Sequence, residues 1–334
     1  MKTILVPTDY SPGARTALLY AIEVAREADA RIVLLHAFFE PLSFPYMGSY
    51  TAVINDLERR RTKKLEAYAK EVKSLLLKDF AVQFRSILPP DVAVNRIPHT
   101  QSGFHTVEID ETPLKRAEVN IKCICKFGIA FDEILKAVEV HEADLVVMGM
   151  RGENAFTRAL LGRTTIRVMQ EASVPVLAVP LDARFEEYKS VVFAADLFKL
   201  PSRAVLGLLG EFVSLFHSRL QVLHLYRKNS PEREMDKALA ALNTLDQQLR
   251  GVDYRVVFQQ REDVAAGVQD FVQEQRAGLL VLLPQKHTFL EKLLNRSLTH
   301  QLLTRTFVPI LALPSCVREN TRDVEDRAER SIPV

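Results

Sequence analysis

The chain carries almost no net charge: 44 Lys and Arg against 42 Asp and Glu leave a formal charge of +2 over 334 residues. A dedicated nucleic-acid binder needs a basic footprint, so bulk binding of DNA or RNA is disfavoured. No apolar run approaches the ~20 residues that a bilayer-spanning helix needs, so no membrane association is expected. The N-terminus enters a strand-like run without a signal-peptide pattern, and the expected location is cytoplasmic. Cysteine is scarce: Cys123, Cys125 and Cys316 form an odd set without C-x-x-C spacing. Neither a disulfide framework nor a standard zinc motif is indicated, and reduced thiols are expected. Two common nucleotide signatures are also missing, since no G-x-x-x-x-G-K-[ST] occurs and Gly149-x-x-Gly152 does not make G-x-G-x-x-G.

What is present is an ordinary globular composition, 48% hydrophobic and 26% charged, with length enough for two domains. Lys2 to Asp9 and Lys189 to Asp196 share one pattern, an apolar strand ending in Asp. Arg31 to His36 is matched by Leu220 to His224, Ala143 to Met148 by Ala277 to Leu282, and Val174 to Pro180 by Val308 to Pro314. Four strand signals thus recur in one order. Helical stretches lie between them, such as Gly13 to Ala28, where Ala17, Leu18, Ala21, Ile22 and Ala25 fall at helical spacing behind a Ser11 cap and Pro12.

Short continuous apolar strands alternating with amphipathic helices indicate a parallel sheet covered on both faces. The expected fold class is α/β, with two doubly wound domains of parallel strands at 1–180 and 189–315. Leu181 to Tyr188, polar and charged, reads as the linker, and 316–334 as a mobile tail. The first copy carries extra residues, mostly within 80–119. Alternation in Ala81 to Ile87 and His105 to Asp110 predicts that this insertion is a β-hairpin or flap.

Asp144 to Met148 is an apolar run followed by Gly149-Met-Arg-Gly152, nine residues, and Gly162-Arg-Thr-Thr165. Residues without Cβ atoms let backbone N–H groups approach a polyanion, and a following helix N-terminus adds positive potential. In an open α/β sheet ligands bind beyond the carboxyl ends of the strands, where Asp9 and Gly149 both fall. Asp9 could accept hydrogen bonds from a ribose or adenine while the glycine loops cradle phosphates. The alternative is that Asp9 caps the following helix and the glycines only turn the chain.

Taken together, Pro7-Thr8-Asp9, Leu35-His36-Ala37, Gly149-x-x-Gly152, Gly162 and Val174-Pro175 resemble a tandem universal stress protein of the UspA superfamily. The resemblance covers about 1–180 and 189–314, with Phe80 to Val119 unmatched. It implies an adenine-nucleotide alpha-hydrolase-like fold with five strands per domain and ATP as ligand, with or without Mg. Asp9 and Ala37 would surround the adenosine, and Gly149, Gly152 and Gly162 would hold phosphates. The site assigned by the resemblance comprises Pro7, Thr8, Asp9, Ala37, Met148, Gly149, Arg151, Gly152, Gly162, Arg163, Thr164 and Thr165. Arg163 departs from the family, which has Ser or Thr there; it either makes a charge-assisted contact or points into solvent, with Thr164 or Thr165 supplying a hydroxyl.

Counting back from Phe289, taken as the partner of Phe156, puts Leu282, Gln285 and Asn295 where the three glycines stand. No nucleotide is expected in the second domain, although Lys286, His287 and Arg296 leave a basic loop. The last strand of each copy could pair edge to edge, making an intramolecular pseudo-dimer of the kind the family forms between chains. A homodimer of the whole chain stays open.

Other constellations carry less. His99, His105, Cys123 and Cys125 lack metal-ligand spacing, and Cys123-Ile-Cys125 reads as a strand. His36 and His224 occupy equivalent strand ends, without a Ser or Cys nucleophile beside them in sequence, which suits a hydrogen-bonded structural role. Glu58 to Glu66 reads as the solvated face of a helix whose buried stripe is Leu57, Leu65, Tyr68 and Val72. No catalytic residue is assigned. The leading expectation is a nucleotide-binding stress-response module acting through conformation or partners; a scaffold without nucleotide comes second and a slow ATP hydrolase third.

Overall fold

The computed structural model describes residues 1–41, 50–87, 119–150, 162–226, 241–284 and 308–315; within 77–87 and at 265 it describes the backbone alone. In chain order the elements are β1 (Thr3–Pro7), α1 (Pro12–Glu27), β2 (Arg31–Phe38), α2 (Tyr50–Ile87), β3 (Ile121–Phe127), α3 (Ala130–Val140) and β4 (Leu145–Gly149). Next come α4 (Arg163–Glu171), β5 (Val176–Val179), β6 (Ser190–Ala194), a 3-10 turn (Leu197–Lys199), α5 (Arg203–Leu215) and β7 (Arg219–Tyr226). The last are α6 (241–248), β8 (Tyr254–Gln260), α7 (Val264–Glu274), β9 (Leu279–Leu282) and β10 (Ile310–Ala312).

The ten strands of the described residues share one sheet, ordered β3-β2-β1-β4-β5-β10-β9-β6-β7-β8. Read inward from either edge, the order is the same relative to the first strand of each half. Every neighbouring pair is parallel except β5 with β10, which run antiparallel with Ile310 opposite Ala178 and Ala312 opposite Val176. That one reversed pair joins the two sets of five and leaves neither strand with an open edge, where unpaired N–H and C=O groups would invite aggregation.

Apolar residues decide which face each helix covers. Ile4, Val6, Ile32 and Leu34 point to the side where α1 and α2 bury Leu18, Ile22, Leu65 and Val72. Leu5, Val33 and Leu35 point to the other, against Phe131 and Ile134 of α3 and Val168 and Met169 of α4. The alternation of strand side chains thus builds two cores on one sheet. The start of α1 is as its sequence dictates: the Ser11 hydroxyl accepts the Ala14 N–H and Pro12 occupies the first turn, where a missing N–H costs nothing.

One expectation is corrected and two are extended. Ala81 to Ile87 is not a β-strand but the continuation of α2. Once a helix is nucleated, each added residue gains a hydrogen bond without a new nucleation cost, and Leu76, Phe80, Phe84 and Ile87 also satisfy helical spacing. The second strand of that expected hairpin, His105 to Asp110, lies outside the described residues, as does the 316–334 tail. The charged helical run is also more than a solvated face. Glu58 accepts the Phe127 N–H at 3.1 Å and Thr62 Oγ1 accepts the Cys125 N–H at 3.2 Å, so α2 side chains seal the outer edge of β3.

The stretch expected as a polar linker carries aromatic anchors as well. Phe185 packs edge-on to Tyr20 of α1 with centroids 5.3 Å apart, and Tyr188 packs edge-on to Phe216, the C-cap of α5, at 4.8 Å. Tyr188 is fully buried.

Candidate functional site

The switch in strand order falls at β1, whose neighbours are β2 on one side and β4 on the other. Thr8 continues the β1–β2 ladder by donating its N–H to the Leu35 carbonyl at 2.8 Å, and its hydroxyl accepts the Tyr10 N–H at 3.1 Å. The chain then turns sharply: Tyr10 has φ 63, a left-handed conformation rare for a bulky residue. Asp9 is exposed at the crest of this turn, and its Oδ1 accepts the Ser11 N–H at 3.0 Å. Ser11 is the N-cap of α1, so Asp9 does not cap the helix; its bond to the Ser11 N–H fixes the turn that leads into it. Pro7 pairs with Leu35, and Ala37 lies two residues further along β2 on the face that Val33 and Leu35 present to α3.

His36 takes the opposite face. Its Nδ1 lies 2.9 Å from the Thr8 carbonyl, and Tyr10 covers its ring at 4.6 Å. Burial lowers the His36 pKa, opposed by that hydrogen bond and reinforced by Arg61. Burial also pushes the Tyr10 phenol up to about 12. Tyr10, His36, Phe38 and Tyr68 thus form an aromatic wall on the α1–α2 side.

At the end of β4 two helix N-termini converge. A Cβ on Gly149 would lie 2.6 Å from the carbonyl carbon and oxygen of Gly13 in the first turn of α1. From the other side, the Thr165 hydroxyl donates to the Gly149 carbonyl at 3.0 Å, and the Gly162 N–H donates to the Met150 carbonyl at 2.6 Å, closing the loop before α4. Met148 is buried against α3 and α4. Gly162 caps α4 without a side chain, and the first turn holds no acid; Arg163 begins the helix and is exposed. Among the described residues, the positive end of α4 thus has neither a capping side-chain oxygen nor a carboxylate in its first turn, the condition in which a helix N-terminus favours an anion.

The structure therefore brings Pro7, Thr8, Asp9, Ala37, Met148, Gly149, Gly162, Arg163, Thr164 and Thr165 to one end of the sheet around β1 and β4. Arg151 and Gly152 lie outside the described residues. Thr165 is 4% exposed and bonded to Gly149, so its hydroxyl ties α4 to the end of β4. Gly13 was missed as a site-building residue; the Pro12-Gly13 pair opening a helix was its signal.

Residues 1–180 match the model of the Universal stress protein family. The chain belongs to the universal stress protein family. Universal stress protein MJ0577 of Methanocaldococcus jannaschii is 25% identical over 178 residues, 53% of this chain and 94% of that protein. Universal stress protein MJ0531 of the same organism is 26% identical over 180 residues, 53% of this chain and 81% of that one. In fold, a universal stress protein from Archaeoglobus fulgidus DSM 4304 covers 95% of this chain and 98% of its own, with TM-score 0.56 at 16% identity. At that identity the likeness speaks for the fold alone. Among the described residues of this universal stress protein, no helix is long and apolar enough to cross a membrane.

The second half of the sheet repeats the framework of the first. Asp196 Oδ1 accepts the Phe198 N–H at 3.0 Å, as Asp9 does for Ser11, and His224 Nδ1 lies 3.3 Å from the Ala195 carbonyl, as His36 does beside Thr8. Strand register also corrects one assignment. Val146 pairs with Val176 as Leu280 pairs with Ile310, so Leu282 corresponds to Met148 and Leu283, not Leu282, to Gly149. Pro284 then stands where Met150 donates its N–H to Val179 at 2.9 Å, and it has no N–H to give. Leu283 packs on the core where Gly149 offers only hydrogen. Between Asp196 and α5 comes the 3-10 turn, so Ser202, not a residue two after the Asp, caps the helix. Gln285 and Asn295 lie outside the described residues.

Proposed function

We propose that this universal stress protein binds ATP or a related adenine nucleotide at the β1–β4 end of its first half, and acts through conformation or partners. The observation that carries this reading is the convergence of the α1 and α4 N-termini on Gly149, with no acidic residue in the first turn of α4 and no side-chain cap on it among the described residues. The residues present fit a polyphosphate: backbone donors open α4, and Arg163 adds charge at its tip. Ala37 and Met148 share the face toward α3, leaving Asp9 beside them for the ribose. Mg would arrive on the nucleotide's phosphates. In this reading the chain is two domains, 1–180 and 189–315, the β5–β10 pair makes them an intramolecular pseudo-dimer, and the second domain binds no adenine nucleotide.

A direct test is to denature the purified protein, look for released adenine nucleotide by chromatography, and titrate the nucleotide-free form with Mg-ATP. Absence of both signals ends the proposal. Gly152→Val should abolish binding by filling the space a phosphate needs, whereas Asn295→Val should leave it intact. The second reading, a scaffold without nucleotide, is favoured by Thr165, whose hydroxyl is already engaged by Gly149. A slow ATP hydrolase ranks last; sustained phosphate release that disappears in the Gly152→Val variant would be its mark.

A further inference from the structure

Helix α1 touches both the proposed nucleotide site and the segment joining the two halves of the sheet. Its first turn abuts the proposed nucleotide site, with the Gly13 backbone closed against Gly149. Further along, its outer face meets the segment joining the two halves of the sheet. Thr16 Oγ1 donates to the Leu181 carbonyl at 2.9 Å, and Tyr20 lies 5.3 Å from the Phe185 ring and 6.4 Å from the Tyr188 ring.

That segment continues into the second half. Tyr188 packs on Phe212 at 5.7 Å and on Phe216 at 4.8 Å, at the C-terminal end of α5, and Phe185 also reaches Phe216 at 6.2 Å. Tyr188 leads directly into β6, and its backbone is one of the nearest neighbours of Gly278 at 3.8 Å from an added Cβ. Five aromatic rings thus bridge α1 to α5, and only two of them, Phe185 and Tyr188, belong to the connecting segment. A flexible tether would leave those rings in water; here they are a packed wedge, in which neighbours cannot move independently without opening a void.

We propose that the Phe185–Tyr188 wedge couples the two halves, so that nucleotide bound between α1 and α4 tightens α5 in the half that binds none. This rests on the nucleotide-binding reading above. A ligand that fixes the first turn of α1 removes freedom from that helix, and the wedge passes the restriction to α5 through ring contacts. Coupling of this kind is a free energy between two places and must be reciprocal: loosening the wedge weakens nucleotide binding, and nucleotide protects the wedge. It gives the second half a reporting role, with α5 as the element that differs between the empty and loaded protein.

The test is hydrogen–deuterium exchange of the full chain with and without Mg-ATP, beside a binding titration, for the unaltered protein and for Phe185→Leu and Tyr188→Leu. Mg-ATP should slow exchange in α1, α4 and α5 of the unaltered protein at least threefold. In either variant the slowing should persist in α1 and α4 and vanish from α5, with Mg-ATP affinity reduced severalfold. Circular dichroism distinguishes a loosened wedge from an unfolded chain; if Tyr188→Leu does not fold, Phe185→Leu, at the less buried ring, carries the test. Binding in the titration without any protection of α5 overturns the coupling alone. Protection of α5 that survives in the folded variants overturns the wedge as its route. No binding in the titration overturns the coupling together with the nucleotide reading.

Discussion

Gly149 and Gly13 meet backbone to backbone: a side chain on Gly149 would stand 2.6 Å from the Gly13 carbonyl, a separation that non-bonded Cβ contacts essentially never show. Because the obstacle is main chain at the start of a helix, no rotamer can relieve it. Gly149→Ala should therefore cost about 1–3 kcal/mol, the usual penalty for overpacking a closed contact. A lower urea midpoint at unchanged slope would show it, and a midpoint equal to that of the unaltered protein would refute the close approach.

Arg163 sits at the positive end of α4, where a cation is disfavoured by the helix dipole. Arg163→Ala should raise the stability of the nucleotide-free protein by about 0.3–1 kcal/mol. In the presence of ligand the sign reverses: Mg-ATP affinity should fall roughly tenfold, the scale of one charge-assisted hydrogen bond, and AMP should be affected less. The two measurements, thermal unfolding and titration, must move in opposite directions for the side chain to be a phosphate contact.

In the second half, Leu283 stands at the position equivalent to Gly149 and packs on the core. Leu283→Ala should cost about 1–2 kcal/mol, below the range for a fully buried leucine because the residue is only partly covered. It should not create a second nucleotide site, since Pro284 and the 3-10 turn before α5 remain. Unchanged stoichiometry in a Mg-ATP titration checks this.

Burial lowers the His36 pKa, so the folded protein binds a proton there less readily than the unfolded chain does. The neutral ring contributes its full stability above the unfolded value, about 6.5, and loses it as the pH falls below that value toward the lower folded pKa. Relative to His36→Gln, the unaltered protein should lose stability between pH 7.5 and 5.5. Paired denaturant curves at the two pH values give the difference, and a gap independent of pH would mean that His36 does not titrate differently on folding.

The sheet was legible in the sequence because its strands are buried on both faces and read as continuous apolar runs, and because the helix signals at Ser11 and Pro12 are local. The site residues at strand ends followed from the same runs. The error at Ala81 to Ile87 has the opposite cause: seven residues of alternation fit a strand, but their conformation is set by the helix they extend. Counting through the loop from Phe289 placed Leu282 opposite Gly149, at odds with the strand match of Ala143–Met148 to Ala277–Leu282, and the hydrogen-bonded register of β4 with β5 and β9 with β10 decides for Leu283.

The sequence by itself determined the α/β class, the repeated order of strands, and the glycines and Asp9 at their carboxyl ends, since these rest on local periodicity and backbone freedom. Only the tertiary structure decided that Gly149 is closed against α1, that Thr165 ties α4 to β4, that β5 and β10 join antiparallel, and that Phe185 and Tyr188 tie α1 to α5. Each of these is a contact between residues distant in the chain, set by packing geometry that no local pattern encodes.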